Sequence, residues 1–352
     1  MKGLGQDEPL RVALVGAGRI GRLHAANVLA RVDAHLVAVM DPDNAAAGAI
    51  AARHAGAAVY PSLADAIAAA GPHIVIIGSP TDTHVDLIEE AARARLAIFC
   101  EKPVDLAMPR VLGANKTLAA HPVPFMLGFH RRRDPAHQSA RKTVAGGKIG
   151  RLVQMRVSSR DPAPPPLGYL KRSGGIFRDM MIHDIDQLRF QSGAEFTHVH
   201  AIGGRVIDPD TFAAADDFDV ATATFWTADG LVAVIQNCRA SPVGFEQRME
   251  LFGTEGALRI DSPGRAELTL ESAEGRLGEP LHHHFPERYG DAYRAELADF
   301  IAAVRAGTQP APGMNDAIRS LAMADAADQS ARTGAIIEID TVSASLEGTK
   351  PG

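Results

Sequence analysis

The sequence predicts an α/β chain of two domains: a doubly wound parallel sheet over residues 1–128, then an α+β domain on a large, mostly antiparallel, open-faced sheet over residues 129–352. Three observations carry that expectation. At 352 residues the chain outgrows a single core, which stops enlarging at roughly 250–300 residues. Up to Gly128, short β-branched runs alternate with alanine-rich helical stretches, as βαβ units require. Past Phe129 the character changes to strand-length runs separated by turn residues such as Ala228-Asp229-Gly230.

Composition narrows function before any motif does. Hydrophobic residues make up 46% and charged residues 22%, the balance of an ordinary globular protein. The formal charge of -6 is spread along the chain without basic runs, which leaves no footprint for nucleic acid or an anionic membrane. No charged start leads into an apolar run, and no apolar stretch approaches the roughly 20 residues that cross a bilayer. Two cysteines, Cys100 and Cys238, make no secreted framework. A cytoplasmic protein acting on a small molecule is the expectation.

Arg11 to Val15 reads as a strand that enters Gly16-Ala17-Gly18-Arg19-Ile20-Gly21, followed by a helix to about Arg31. In such a strand–turn–helix Gly16 permits the tight turn, Gly18 lets backbone approach a pyrophosphate, and Gly21 lets helix and strand pack closely. The second strand, His35 to Met40, ends in Asp41, twenty residues past Gly21, where a carboxylate binds the adenosine ribose hydroxyls of NAD. Two other readings stay open: Asp41 as a turn aspartate before Pro42, and Arg19 as a partner for the 2′-phosphate of NADP.

Helices at Asn44 to His54 and Ser62 to Ala70, with strands at Ala58 to Tyr60 and His73 to Ile77, continue the alternation. Ser79, Pro80 and Thr81 close the last of these strands and His84 opens a helix. Open α/β sheets bind ligands at the carboxyl ends of their strands, so this turn is expected on the same cofactor; His84 equally fits a plain helix start. The strand Leu96 to Cys100 runs into Glu101-Lys102-Pro103. A lysine there, beside a nicotinamide that becomes cationic, gives up its proton more readily and can relay it; a surface turn lysine is the alternative. Val123 to Gly128 completes the sheet.

In the second domain Arg131, Arg132, Arg133 and Asp134 lead into a helix that ends at Gly146-Gly147. A strand from Leu152 to Ser159 enters Arg160-Asp161-Pro162-Ala163-Pro164-Pro165-Pro166, whose prolines restrict the chain and can hold Asp161 in place. In the stretch Gly174 to Phe190, Asp179 and His183 stand four apart, on one face of a helix. A carboxylate beside an imidazole fixes its tautomer and raises its basicity, which suits a base that takes a hydroxyl proton near neutral pH. A surface ion pair is the competing reading. Later strands are expected at Thr197 to Val206, Val220 to Thr227, Leu231 to Arg239, Gln247 to Gly253, Ala257 to Asp261 and Glu267 to Glu271, all in one open sheet, with helices at Tyr289 to Ala306 and Asn315 to Arg332. A sheet with helices on one face leaves an apolar patch too large for a monomer, so a homo-oligomer is expected. His282, His283 and His284 point alternately on extended backbone and do not converge on one ion, so no metal is expected.

The glycine fingerprint, SPTDTH at Ser79 to His84, FCEKP at Phe99 to Pro103, SRDPAPPP at Ser159 to Pro166 and GGIFRDMMIHDID at Gly174 to Asp186 occur in that order. With them, the chain from about Arg11 to Asp340 resembles the Gfo/Idh/MocA oxidoreductases. The resemblance implies an N-terminal Rossmann domain, a mixed-sheet second domain, a tetramer built on the open sheet, and NAD-dependent oxidation of a ring hydroxyl on a small polyol. The motif combination is similar to members that act on inositol. It also implies Lys102, Asp179 and His183 as the catalytic group, with Arg132, Asp161 and Phe245 beside the substrate. The cofactor is then expected on Gly16 to Gly21, Asp41, the Ser79 to His84 turn, Glu101 and Lys102. Many relatives carry tyrosine where Phe245 stands, and the missing hydroxyl removes one hydrogen bond to a polyol. Another inositol isomer, a hexose and a non-catalytic NAD-binding sensor are the alternatives.

Overall fold

The computed structural model describes residues 8–339, which divide into two units: the chain through His130 with Asp291–Ile318, and Arg131–Gly290 with the chain from Arg319. The first unit holds strands β1 (Leu10–Val15), β2 (Ala34–Met40), β3 (Ala58–Val59), β4 (Ile74–Ile77), β5 (Ala97–Glu101) and β6 (Phe125–Gly128). Helices α1 (Arg19–Leu29), α2 (Asn44–Ala51), α3 (Leu63–Ala70), α4 (His84–Arg93) and α5 (Met108–Ala120) connect them. The six strands pair in the order β3-β2-β1-β4-β5-β6, all parallel. The run Ile74-Val75-Ile76-Ile77 is buried along its whole length, as a strand covered on both faces must be. Strand order reverses between β1 and β4, so loops leave in opposite directions there and open a crevice at the carboxyl edge. Val15 pairs with Met40 and with Ile77, Ile77 with Cys100, and Glu101 with Gly128. That register brings Gly16, Asp41, Gly78 and Lys102 out along one edge.

The second unit contains α6 (Pro135–Ala145), β7 (Leu152–Arg160), α7 (Leu167–Ser173), a π-helical turn (Phe177–Met181), α8 (Ile182–Ser192), β8 (His198–Gly204), α9 (Pro209–Ala214), β9 (Val220–Trp226), β10 (Val232–Cys238), β11 (Glu246–Gly253), β12 (Ala257–Ile260), β13 (Thr269–Ser272) and β14 (Gly275–Gly278). Helices α10 (Phe285–Ala306) and α11 (Met314–Thr333) and strand β15 (Ile337–Glu338) follow. Its seven-stranded sheet runs β12-β11-β7-β10-β9-β8-β15, antiparallel except for the parallel pair β7 and β10. Met181, Ile185 and Leu188, with Ala324 and Ala327 of α11, join Val157, Val199, Ala223, Ile235 and Leu251 of the strands in one core. The alternate residues, such as Ile202 and Phe252, are exposed on the other face.

Two elements differ from the sequence reading. The strand expected at Glu267 to Glu271 is not part of the large sheet: β13 pairs only with β14, in a separate exposed hairpin. Pro263, just beyond β12, has no N–H to extend the ladder, and the Ser262 hydroxyl caps its end by donating to the Gln247 carbonyl. Residues Asp291–Ile318, assigned to the second domain on sequence, pack in the first unit. Leu297, Phe300, Ile301 and Val304 form one apolar helix face, and they bury it with Leu36, Val39 and Phe99. α10 departs from helical geometry at Tyr289, two residues before this segment begins.

Candidate active site

At the edge of the first unit, Gly16 takes φ +100, and a Cβ there would stand 2.6 Å from the Gly78 carbonyl. Only glycine permits both that φ and that approach. A Cβ on Gly21 would fall 1.9 Å from the Gly16 oxygen, so helix and turn touch through backbone. Gly18 differs: a Cβ on it meets nothing within 4 Å, and it heads α1 with no side-chain cap. Uncapped first-turn amides beside open space are a ready anion site, and the residues fit a pyrophosphate. Asp41 Oδ2 accepts from Ala17 N at 2.6 Å and Oδ1 from Asp43 N at 2.8 Å. The carboxylate ties the glycine turn to β2, and with about four lone-pair sites it retains acceptors for ribose hydroxyls. Arg19 is exposed, while its neighbour Arg22 donates to the Ala17 carbonyl at 3.0 Å.

Ser79 and Thr83 hydroxyls lie 2.6 Å apart, and Thr83 donates to the Pro80 carbonyl at 2.7 Å, which leaves Ser79 as the donor to Thr83. Thr81 opens the short 3-10 turn between Pro80 and His84. His84 is buried, with Nε2 2.9 Å from the Ser79 carbonyl and Nδ1 2.9 Å from the Pro103 carbonyl. Burial pushes its pKa down and the two carbonyls oppose that, and the ring links the loops after β4 and β5. Glu101 turns into the unit, its Oε1 2.7 Å from His24 Nε2, and a Cβ on Gly128 would meet its other oxygen at 2.9 Å. Lys102 follows at the strand end, half-buried, with Pro103 after it. Cys100 is fully buried, and burial raises its thiol pKa well above the ordinary value.

The second unit builds its site on the parallel pairing of β7 and β10. Arg160 pairs with Cys238, and Asp161 N donates to the Cys238 carbonyl at 3.0 Å, so Asp161 and Arg239 leave the sheet side by side. Arg239 Nη1 lies 3.5 Å from Asp161 and 3.0 Å from Asp179 Oδ2. The other Asp179 oxygen accepts from the Tyr169 hydroxyl at 2.8 Å. Asp179 sits in the π-helical turn and His183 in the first turn of α8, where the sequence reading has both on one regular helix. The turn is anchored at its start by Ile176 N, which donates to Asp217 at 2.8 Å; Gly175, at φ +81, leaves the space in which a Cβ would strike that carboxylate. Phe245 stands one residue before Glu246, the partner of Arg160, and thus at the same strand ends. Its ring meets Tyr289 edge-on, and its N–H donates to the His282 carbonyl at 2.9 Å.

Buried ion pairs that the sequence reading did not assign hold the His183 helix on the sheet. Asp184 is fully buried and accepts from Arg131 Nη1 at 2.5 Å, Ser159 Oγ at 2.7 Å and Asn237 Nδ2 at 2.7 Å. Asp186 pairs with Arg132 through Nε at 2.9 Å and Nη2 at 2.5 Å, and that guanidinium also covers the Phe190 ring. Arg132, expected beside substrate, is thus engaged in a buried ion pair. Arg239 and Tyr169 were also unassigned on sequence. The available signal was a charged residue closing the strand-like run Leu231 to Cys238, and a tyrosine beside the proline loop.

Comparisons with known proteins agree with both units. Residues 10–129 match a family model described as an oxidoreductase family with NAD-binding Rossmann fold, and residues 137–259 match the GFO/IDH/MocA C-terminal domain. The chain belongs to the Gfo/Idh/MocA oxidoreductase family. It is 44% identical to an inositol 2-dehydrogenase of Rhizobium meliloti (strain 1021), over 91% of this chain and 96% of that protein. A structure described as a putative myo-inositol dehydrogenase from Sinorhizobium meliloti 1021 superposes with a TM-score of 0.90 at 43% identity, covering 94% of this chain and 99% of that one. The scyllo-inositol dehydrogenase of Lactobacillus casei, solved with NAD(H) and scyllo-inositol, gives 0.88 at 29% identity, with 94% and 99% covered. This Gfo/Idh/MocA protein is an NAD-dependent dehydrogenase acting on a CH–OH group. Among the described residues no helix is long and apolar enough to cross a membrane.

Proposed function

We propose that this dehydrogenase oxidises myo-inositol to 2-keto-myo-inositol (scyllo-inosose). The observation that carries the reading is the carboxylate of Asp179, held through both oxygens just ahead of the helix whose first turn carries His183. An oriented imidazole at that place removes the proton of a ring hydroxyl. Asp161, at the end of β7, accepts a hydrogen bond from a further hydroxyl. Lys102, assigned on the family motif that carries it, is the donor to the oxygen as it becomes anionic. The Gly16 to Gly21 turn and Asp41 would hold NAD, which would supply the hydride acceptor needed for the carbinol carbon to become the ketone. Similarity to proteins named as inositol dehydrogenases over nine-tenths of the chain supports the substrate class.

Phe245 favours a second reading of the isomer. Its buried ring offers an apolar wall where a hydroxyl would otherwise discriminate, so scyllo-inositol or a hexose is the next substrate to test. The open face of the seven-stranded sheet, with Ile202 and Phe252 exposed, supports assembly as a homotetramer; a monomeric mass in solution scattering would rule this out.

NADH formation from myo-inositol, scyllo-inositol, glucose and galactose, with NAD and then NADP, tests the substrate. His183→Ala is expected to lower kcat by about 10² to 10⁴ while leaving NAD binding intact. Undiminished turnover by that variant removes His183 as the base.

A further inference from the structure

Arg239 is 2% exposed, the most deeply buried cation among the described residues of the second unit's site. Its surroundings are three carboxylates and a phenol: Asp161 on the loop after β7, Tyr169 on α7, Asp179 in the π-helical turn and Asp217 before β9. Only Nη1 reaches carboxylates, at 3.0 Å from Asp179 and 3.5 Å from Asp161. Nε and Nη2 have no hydrogen-bond partner among the described residues. A buried guanidinium with two idle donors is a poor stabilising device, because desolvating a charge offsets most of what its pairing returns. Its position is set by the fold all the same: the register of β7 with β10 delivers it, and Arg239 N donates to the Asp219 carbonyl at 2.8 Å.

We propose that Arg239 is a positioning residue for the oxidation, the one cation that fixes Asp179 and Asp161 together at the strand ends and so sets the distance between the His183 partner and a substrate-binding carboxylate. The proposal rests on the proposed inositol chemistry, since it assigns Asp179 and Asp161 the roles given there. Burial pushes the Asp161 carboxyl up, the neighbouring Asp179 adds to that, and Arg239 opposes both, with a smaller contribution from Arg131. Without the guanidinium the two carboxylates repel, and one of them protonates or swings out. Tyr169 differs in kind: its ring is exposed and it meets Asp179 through a single hydroxyl, so it reinforces one oxygen without linking the two carboxylates.

The test compares full-length wild type with Arg239→Lys and Arg239→Ala, using the inositol that the wild type oxidises, with Trp226 emission and NADH binding as controls for folding. Arg239→Lys keeps a charge but not a planar fork, and is expected to lose kcat by roughly 10- to 100-fold with KM changed far less, because misplacement of about 1 Å is costly in catalysis. Its pH–kcat profile is expected to shift on the acid side. Arg239→Ala is expected to regain activity with guanidinium at sub-denaturing concentration and not with urea. If the alanine variant does not fold, the lysine variant decides. A folded Arg239→Lys with wild-type kcat and pH profile overturns the inference alone, as does a loss confined to KM. Absence of inositol oxidation by the wild type itself overturns the functional reading and this inference with it.

Discussion

Replacing Asp184 by alanine asks whether one buried carboxylate holds the helix that carries His183. Asp184 is fully buried, and the Arg131 that faces it at 2.5 Å is itself nearly so. Removing one member of a buried ion pair costs about 3–5 kcal/mol, because the remaining charge keeps its desolvation penalty. Ser159 and Asn237 also lose an acceptor, a further cost of about 1–3 kcal/mol each where water does not replace it. Water entering the vacated space returns much of that second cost, so about 4 kcal/mol is the working figure. Typical domains are stable by about 5–15 kcal/mol in total.

The assay is built into the chain. Trp226, the sequence's only tryptophan, lies on β9 in the same sheet as Ser159 and Asn237, so its emission follows loss of this sheet in urea. With a slope of about 2 kcal/mol per molar urea, the midpoint is expected to fall by about 2 M in Asp184→Ala. Asp184→Asn keeps the shape and one acceptor, and should fall between the two. Turnover should drop in both variants, since His183 is the preceding residue. A shift in Asp184→Ala smaller than about 0.5 M, against the slope above, refutes the argument that this carboxylate anchors α8.

Two further outcomes follow from local geometry. Gly21→Ala places a methyl 1.9 Å from the Gly16 carbonyl oxygen, and backbone cannot yield as a side-chain tip would. NAD binding by calorimetry is expected to weaken by more than about tenfold, a cost of about 1.4 kcal/mol and within the usual range for overpacking; an unchanged Kd contradicts the close contact. His137 is lowered from 6.5 to about 4, first by burial, with Arg131 and Arg288 adding and Asp134 opposing. Between those values the unfolded chain holds the extra proton, so stability is at its full value above pH 6.5 and falls as pH drops toward 4. His137→Gln should flatten that part of the urea midpoint against pH; equal slopes in the two proteins would show that His137 is not the group responsible.

The division between what was readable and what was not follows chain separation. The glycine turn, its strand and helix, and Asp41 lie within a short span, and their chemistry is local: a φ only glycine adopts, a helix end with open amides, a carboxylate at a strand end. The apolar face Leu297, Phe300, Ile301 and Val304 was legible as a helix face. Which sheet it covers was not, because periodicity states that a face must be buried and says nothing of where. The long-range pairs were invisible for a related reason. Arg131 finds Asp184 across 53 residues and Arg132 finds Asp186 across 54, while Arg239 meets Asp161 across 78. Nothing near an arginine names its carboxylate.

The same argument explains why the sequence places Asp179 and His183 on one regular helix. Their spacing of four and the motif around them bring them to notice. The π-helical turn that separates Asp179 from the regular α8 depends on Gly175, Asp217 and Arg239, two of which lie tens of residues away. π-helical turns of this kind concentrate at functional sites because they let one side chain point where regular spacing would not send it. Here it lets Asp179 face Arg239 and Tyr169 while α8 is pinned to the sheet by Asp184. Two anchors with separate partners flank His183 along the chain, and a side chain held from both sides keeps its aim, which is what the base proposed above requires while substrate exchanges.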